Sequence, residues 1–404
     1  MAPQAQVTPQ AQSTQQAQST PLAQSTQQAQ STPLAALAPG SALLQPVRLG
    51  ALNLRNRVVM APLTRNRADA DGTPNELQAT YYGQRAGAGL IITEGTQPAA
   101  VGKAYPNVPG LHNDAQQAGW ARIADTVHAR GGLIVVQLMH GGRISHPSTL
   151  NGVTPVSPSA IRPAGELVTA DGLQAFVEPR ALSTSELPQL VADYADAARR
   201  AVDAGLDGVE LHAANGYLLH QFLADGSNRR ADGYGGSAEA RARFVLEVAA
   251  AVSDAIGADR VGIRLSPGHP FNDISESSLE VYPLLARSLR SLGLAYLHVL
   301  ADPGAPILDE LREIWPDRLI FNGGFGTLST RDAVDAYLSA GVADAAAVGR
   351  PFISNPDLVR RWTEGASLNE PDQATFYGGA APGYTDYPTL DEVTEATDAA
   401  DRAA

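Results

Sequence analysis

The chain has 404 residues, of which 44% are hydrophobic, so it can bury a core as large as that of a barrel domain. Its 29 basic and 42 acidic residues give a net charge of −13, which argues against nucleic acid or an anionic membrane surface as a partner. The absence of cysteine excludes disulfides, thiolate catalysis, Cys-type zinc sites and iron–sulfur clusters. Lys103 is the single lysine, which argues against a Schiff-base aldolase.

Residues 1–40 differ in composition from the rest of the chain. The segment AQSTQQAQSTPL at 11–22 is repeated without change at 23–34. A Gln/Ala/Ser/Thr/Pro tract with no apolar period cannot bury enough surface to offset chain entropy. We therefore predict a disordered extension over 1–40, with a tethering tail as the functional alternative. The segment lacks the basic start and apolar centre of a secretory signal, and no apolar run is long enough to cross a membrane, so we expect a cytoplasmic protein.

Short apolar runs alternate with amphipathic stretches from Leu43 onward. Val47–Leu49 and Leu52–Leu54 flank Gly50, which predicts a short hairpin before the main domain. Eight apolar runs then follow: Val58–Ala61, Leu90–Thr93, Leu133–Leu138, Gly208–Leu211, Val261–Leu265, Ala295–Val299, Leu319–Asn322 and Ala345–Val348. Most of them are separated by a helical pattern, such as the one over Leu190–Ala204.

Eight strand–helix repeats predict an α/β fold of the (β/α)₈ barrel type over residues 41–390. A doubly wound open sheet is the alternative, and its dinucleotide-binding form is weakened because no G-x-G-x-x-G follows the first run. The stretch Thr154–Arg180 has no clear period and predicts an insertion after the third strand, as a lid or a small hairpin. Residues 391–404 predict a frayed acidic tail.

Polar residues and glycines follow several predicted strands, where barrel enzymes keep their sites. Gly323 and Gly324 after the seventh strand and Gly349 and Arg350 after the eighth fit a phosphate site, because bare amides and a guanidinium bind phosphate closely. Tight turns alone would also explain these glycines.

His212 and Asn215 are three residues apart, so on a helical turn they would lie on one face and donate to one anionic oxygen. Tyr217, a neutral phenol, suits delivery of a proton to a carbanion-like centre. A capped helix start with a buried histidine is the structural alternative.

Two further strand-end residues suit a flat heterocycle. The amide of Gln137 can pair with the alternating donors and acceptors of such a ring. Arg264 can stabilise negative charge on a reduced ring, although a strand-end ion pair would explain it equally well.

The chain resembles the Old Yellow Enzyme family of FMN-dependent ene-reductases, in the branch of the N-ethylmaleimide and pentaerythritol tetranitrate reductases. The resemblance runs from about residue 43 to residue 390. The matching segments are APLTRNR (61–67), YYGQRA (81–86), HGGRISHPS (140–148), VELHAANGYLLHQFL (209–223), YGGSAEARARFVLEV (234–248) and FYGGAAPGYTDYPTL (376–390).

The resemblance implies a role for each matching position. The flavin ring would be held by Pro62, Leu63, Thr64, Gly95, Gln137 and Arg264. Its phosphate would be bound by Asn322, Gly323, Gly324, Gly349 and Arg350. His212 and Asn215 would bind the substrate oxygen, Tyr217 would donate the proton, and the pocket would be shaped by Tyr82, Met139 and Tyr377.

The implied reaction is ping-pong. NADPH, or less often NADH, reduces non-covalently bound FMN and leaves, and an α,β-unsaturated carbonyl, maleimide or nitro compound then accepts hydride from flavin N5 at its β-carbon. Tyr217 protonates the α-carbon from the opposite side. Nucleic acid and membrane are not expected partners, and the chain is expected to be a monomer or homodimer.

The sequence departs from the family at two places. Met139 stands where this branch usually has tryptophan, which predicts a roomier pocket and altered substrate preference. The run Phe321–Phe325 differs from the usual small-residue run, which leaves open which amides bind phosphate. Thr64, rather than cysteine, places the chain outside the thermophilic-like branch.

Three other protein classes fit the sequence less well. Relatives of dienoyl-CoA or trimethylamine dehydrogenase need an iron–sulfur cluster, and cysteine is absent. A flavin-binding sensor without turnover is disfavoured by the set His212, Asn215 and Tyr217. A metal-dependent barrel hydrolase is disfavoured because no His-x-His closes the first strand, so no metal is expected.

Overall fold

The computed structural model describes residues 35–38, 40–324 and 329–395. The predicted disorder over 1–40 lies outside the described residues except at 35–38 and 40. The predicted frayed tail over 391–404 also lies outside them except at 391–395, where the backbone is helical. Within the described ranges, no helix is both long and apolar enough to cross a bilayer.

The predicted hairpin is present. Strand β1 (Val47–Leu49) pairs antiparallel with β2 (Leu52–Leu54) around Gly50, which has a φ of 59°. Glycine suits this turn because it adopts positive φ without strain. Leu49, Leu52 and Leu54 are buried in a cluster with residues from the early part of the barrel strands, so the hairpin closes the amino-terminal end of the barrel.

The next strands are β3 (Val58–Met60), β4 (Leu90–Thr96) and β5 (Ile134–Leu138). The predicted insertion follows them and contains a hairpin. Strands β6 (Val156–Ser157) and β9 (Arg180–Ala181) pair at its base, and β7 (Glu166–Thr169) and β8 (Gly172–Ala175) form the antiparallel hairpin.

The remaining strands are β10 (Gly208–Ala213), β11 (Val261–Leu265), β12 (Tyr296–Leu300), β13 (Leu319–Asn322) and β14 (Ala345–Val348). Strands β3, β4, β5 and β10 to β14 pair in parallel in that order, and β14 pairs with β3 to close a barrel. The predicted fold is therefore confirmed, and each predicted apolar run coincides with a barrel strand.

The helices are α1 (Glu76–Gln84), α2 (Asp114–His128), α3 (Leu187–Asp203), α4 (Leu218–Leu223), α5 (Ala238–Ile256), α6 (Val281–Leu292), α7 (Pro306–Ile314), α8 (Arg331–Ser339), α9 (Arg350–Ser354) and α10 (Leu358–Glu364). The apolar stripe that predicted α3 faces the barrel: Leu190, Tyr194 and Ala201 are buried at helical spacing. The helix starts earlier than predicted because Pro188 fits its first turn, where no N–H partner is needed.

Gly262 illustrates how tightly the barrel interior is filled. A Cβ on Gly262 would lie 2.1 Å from Cζ of Tyr296 on the neighbouring strand. We expect Gly262→Ala to lower the free energy of unfolding by about 1–3 kcal/mol, because the buried ring of Tyr296 must move to admit the methyl group. Gly87→Ala is the control, since a Cβ there would meet nothing within 4 Å. Equal stability of the two variants in denaturant unfolding would contradict this packing.

Candidate active site

A cavity of about 360 Å³ lies at the carboxyl ends of the barrel strands. It is lined by residues at or just after the ends of β3, β4, β5, β10 and β11, by the β7–β8 hairpin and by a segment near the carboxyl terminus. The predicted site residues that line it are Pro62, Leu63, Thr64, Gly95, Gln137, Met139, His212, Asn215, Tyr217, Arg264 and Tyr377. The barrel thus brings together residues that are more than 300 positions apart in the chain.

His212 is the last residue but one of β10 and is 3% exposed. Its Nδ1 accepts a hydrogen bond from the backbone N–H of Ala214 at 3.3 Å, so the neutral ring carries its proton on Nε2. Burial, followed by the charge of Arg264, lowers the pKa of His212 well below 6.5. The imidazole is therefore a neutral hydrogen-bond donor at ordinary pH.

Asn215 reaches the cavity through a turn and not through a helix. Its φ is 54°, its N–H donates to Ser266 Oγ at 2.8 Å, and α4 begins only at Leu218. The predicted helical turn carrying His212 and Asn215 is therefore wrong, because the left-handed backbone at Asn215 interrupts any helix there. The two side chains nevertheless line the same cavity.

Tyr217 is 6% exposed, and its hydroxyl lies 3.0 Å from the hydroxyl of Tyr105. Its ring meets His212 edge-on, with 4.9 Å between the ring centroids. Burial raises the pKa of Tyr217 above 10, so the phenol keeps its proton at neutral pH. Sequence reasoning missed Tyr105, which lies in an aperiodic loop after β4 and carries no motif of its own.

Gln137 and Arg264 line the cavity from β5 and β11. Gln137 Nε2 donates to the buried carboxylate of Glu210 at 2.8 Å. Arg264 is 5% exposed, and its Nε has no partner within the part of the chain that the structure describes. A buried guanidinium nitrogen without a partner is costly unless a ligand accepts from it.

The predicted phosphate residues lie outside the cavity lining, at the ends of the neighbouring strands β13 and β14. Asn322 Nδ2 donates to the carbonyl of Ala347 at 2.8 Å, and Asn322 Oδ1 accepts from the N–H of Gly324 at 3.3 Å. The Asn322 side chain therefore ties the two strands together. The N–H of Gly324 is engaged by Asn322 here, so Gly323 and Gly349 remain the candidate backbone donors to phosphate. Phe325 lies outside the described residues.

Tyr82 is placed behind the cavity, not in its wall as predicted. It is 1% exposed, and its hydroxyl bonds to the backbone N–H of Glu94 at 3.0 Å and to Glu94 Oε1 at 3.3 Å. The residue is part of the core because α1 turns it inward against Trp120. Its neighbour Tyr81 stacks on Tyr384, with 4.0 Å between the rings.

A buried guanidinium holds the carboxyl-terminal wall of the cavity in place. Arg65 is 1% exposed and donates to the carbonyls of Phe376 at 2.8 Å and Gly383 at 2.9 Å. Its side chain also bonds to the hydroxyl of Tyr81 at 3.0 Å. Tyr377, which follows Phe376, is 52% exposed and lies at the cavity mouth.

The residues of the cavity fit a flavin ring. A Cβ on Gly95 would lie 2.5 Å from Met139 Sδ, and one on Gly349 would touch Leu63 at 3.4 Å, so glycine leaves room at both positions. Pro62 and Leu63 supply apolar surface to the cavity. The amide of Gln137 and the unpartnered Nε of Arg264 supply hydrogen-bonding groups that such a ring needs.

A family model described as the NADH:flavin oxidoreductase / NADH oxidase family matches residues 42–369. Flavin oxidoreductase hxnT of Emericella nidulans is 41% identical over 385 residues, covering 87% of this chain and 99% of that protein. The 12-oxophytodienoate reductase 1 of Oryza sativa subsp. japonica is 41% identical over 372 residues, covering 89% of this chain and 96% of that protein.

Two solved structures extend the likeness to three dimensions. Morphinone reductase in complex with tetrahydroNAD matches with a TM-score of 0.83 at 48% identity, covering 88% of this chain and 99% of that one. The old yellow enzyme homologue from Zymomonas mobilis matches with a TM-score of 0.83 at 41% identity, covering 86% and 99%. The chain therefore belongs to the NADH:flavin oxidoreductase / NADH oxidase family and is an FMN-dependent oxidoreductase of the Old Yellow Enzyme type.

Proposed function

We propose that the chain reduces activated C=C bonds of α,β-unsaturated carbonyls, maleimides or nitro compounds, with NADPH or NADH as reductant. The observation that carries this proposal is the convergence of two neutral oxygen-binding groups and a protonated phenol, His212, Asn215 and Tyr217, on one cavity. The catalytic unit would span residues 41–390, since the segment around Tyr377 forms part of the cavity wall.

His212 and Asn215 would bind the carbonyl or nitro oxygen of the substrate. Nε2–H of His212 and the amide of Asn215 stabilise negative charge that develops on this oxygen, which makes the β-carbon electrophilic. Both groups are neutral and buried, so they act in a site with little water to screen them. The hydrogen bond from Asn215 N to Ser266 fixes the turn that presents the amide.

FMN, when bound, supplies the hydride chemistry between the nicotinamide and the alkene. Pro62, Leu63, Thr64, Gly95, Gln137 and Arg264 would hold its ring. The FMN phosphate would be bound by Gly323, Gly324, Gly349 and Arg350. Asn322 would hold the ends of β13 and β14 together beside it through its bond to Ala347.

Tyr217 would give its proton to the α-carbon of the substrate. Its raised pKa keeps it protonated until a stronger base, the carbanion-like α-carbon, forms beside it. The hydroxyl of Tyr105 lies 3.0 Å from the hydroxyl of Tyr217 and orients it. The same hydrogen bond would stabilise the negative charge on the Tyr217 oxygen after the proton leaves.

A flavin-binding sensor without turnover is the alternative function. The two are separated by anaerobic spectroscopy of the purified protein. We expect a yellow protein that releases FMN on denaturation, bleaches with NADPH or NADH, and regains its colour when an enone is added. A flavin that bleaches but stays reduced with every enone and nitroalkene offered would favour the sensor.

The role of Tyr217 is tested by the two half-reactions. We expect Tyr217→Phe to slow the reoxidation of reduced flavin by an enone by about 10²–10⁴-fold, because the general acid is removed. Flavin reduction by NADPH should stay within about threefold of the parent, measured by stopped-flow absorbance. Tyr234→Phe, which only removes a bond to Glu247, is the control. Equal losses in both half-reactions would remove Tyr217 from this role.

Met139 is expected to widen the cavity relative to the tryptophan usual in its branch. Met139 is 2% exposed and packs beside Gly95, so a tryptophan there must extend into the cavity. We expect Met139→Trp to lower kcat/KM for a bulky cyclic enone by roughly tenfold relative to cyclohexenone. Competition assays with both substrates measure this ratio. An unchanged ratio, at equal FMN content, would show that position 139 does not set the pocket size.

The neutrality of His212 predicts a flat pH profile for oxygen binding. Because burial holds the pKa of His212 well below 6.5, the ring stays neutral from pH 6 to pH 9. We expect the Kd of a saturated ketone such as cyclohexanone, followed by flavin absorbance, to vary by less than about threefold over this range. Binding that tightens as the pH falls through about 6.5, the ordinary histidine value, would mean that imidazolium is the binding form.

A further inference from the structure

One buried carboxylate of the barrel interior has no role in the proposed reaction. Glu210 precedes His212 by two residues on β10, so both side chains point into the barrel, and Glu210 lies one layer deeper. Its side chain is 0% exposed. A carboxylate is costly to bury unless strong hydrogen bonds satisfy it, so the contacts of Glu210 need an explanation.

Both oxygens of Glu210 are occupied. Oε1 accepts from Gln137 Nε2 at 2.8 Å, and Oε2 lies 2.9 Å from His298 Nδ1. Because an ionised carboxylate only accepts, the Gln137 atom beside it must be the NH₂ group, and His298 must carry its proton on Nδ1. The amide oxygen of Gln137 is then the atom left for the cavity that Gln137 lines.

The strand registers fix these neighbours. Glu210 is the in-register partner of Gln137 on β5, and Arg264 on β11 is the in-register partner of both His212 and His298. Burial lowers the pKa of Arg264, and the charge of Glu210 opposes that effect. The carboxylate therefore lies behind the two residues that would contact the flavin ring, and it acts on both.

We propose that Glu210 is a positioning residue. It orients the amide of Gln137 so that the amide oxygen accepts from the ring N–H of FMN, and its negative charge offsets the positive charge of Arg264. This inference rests on the proposed flavin contacts of Gln137 and Arg264. The flavin pyrimidine edge carries one N–H donor between two carbonyl oxygens. If the Gln137 amide were flipped, its NH₂ group would face this N–H, and two donors would oppose each other.

The orientation is tested by removing the acceptor. We expect Glu210→Met to weaken FMN binding to the apoprotein by at least about tenfold, the order of loss that follows removal of the hydrogen-bond partner of a metal ligand. Glu276→Met is the matched control, because Glu276 has a side chain 3% exposed and accepts from Tyr282 at 2.6 Å and from Gly268 at 2.8 Å, away from Gln137. Circular dichroism verifies that both apoproteins are folded.

A double variant tests the route of the effect. If Glu210 acts through Gln137, adding Glu210→Met to Gln137→Leu should change the Kd of FMN by less than about threefold. Additive losses in the double variant, or Glu210→Met binding FMN as tightly as Glu276→Met, would overturn the orientation role. A parent protein that does not bind FMN would instead overturn the proposed function itself.

Glu210→Gln removes the negative charge of the side chain and keeps its size and shape. This variant also tests the proposal if Glu210→Met does not fold. The amide keeps an acceptor oxygen for Gln137, and His298 can move its proton to Nε2, which has no partner among the described residues. We expect FMN affinity to stay within about threefold of the parent. The reduction potential of the bound flavin should shift to a more positive value, because a nearby negative charge is lost. An unchanged potential would contradict the electrostatic role of Glu210.

Discussion

The closure of eight parallel strands is the constraint on which the rest of the molecule depends. Parallel strands in one closed barrel place all their carboxyl ends on the same face, so residues distant in sequence meet there. The register then sets which side chains are neighbours: His212 lies beside Arg264, and Gln137 lies beside Glu210. The site is therefore a consequence of strand pairing, and loops supply only the groups above it.

Those upper groups are held by polar contacts that the barrel buries. Arg65 links the end of β3 to the carboxyl-terminal segment, and Ser266 after β11 holds the turn at Asn215. Tyr105, from the loop after β4, bonds to Tyr217. Each of these bonds joins two segments that are distant in the chain, so each segment of the cavity wall is held by another.

The sequence was sufficient for the strands, because short apolar runs separated by amphipathic helices have few other folds available to them. Several cavity residues could also be anticipated, because barrel enzymes keep their sites at the carboxyl ends of the strands, where polar residues follow the predicted apolar runs. Local backbone and side-chain conformations could be predicted less well from the sequence. The left-handed backbone at Asn215 depends on Ser266, which is distant in sequence, and the inward position of Tyr82 depends on how α1 rotates against the barrel. Asn322 and Tyr105 have partners that only the folded chain provides.

In the proposed reaction, His212 and Asn215 bind the oxygen of the activated alkene, and Tyr217 delivers the proton to the face opposite the flavin. Reduction of a 2-methyl cyclic enone in D₂O with unlabelled NADPH tests this most directly, with the product analysed by NMR. We predict deuterium at the α-carbon only, anti to the hydrogen added at the β-carbon, and loss of this labelled product in Tyr217→Phe. Syn addition, or the same labelled product at the parent rate without the Tyr217 hydroxyl, would contradict the account.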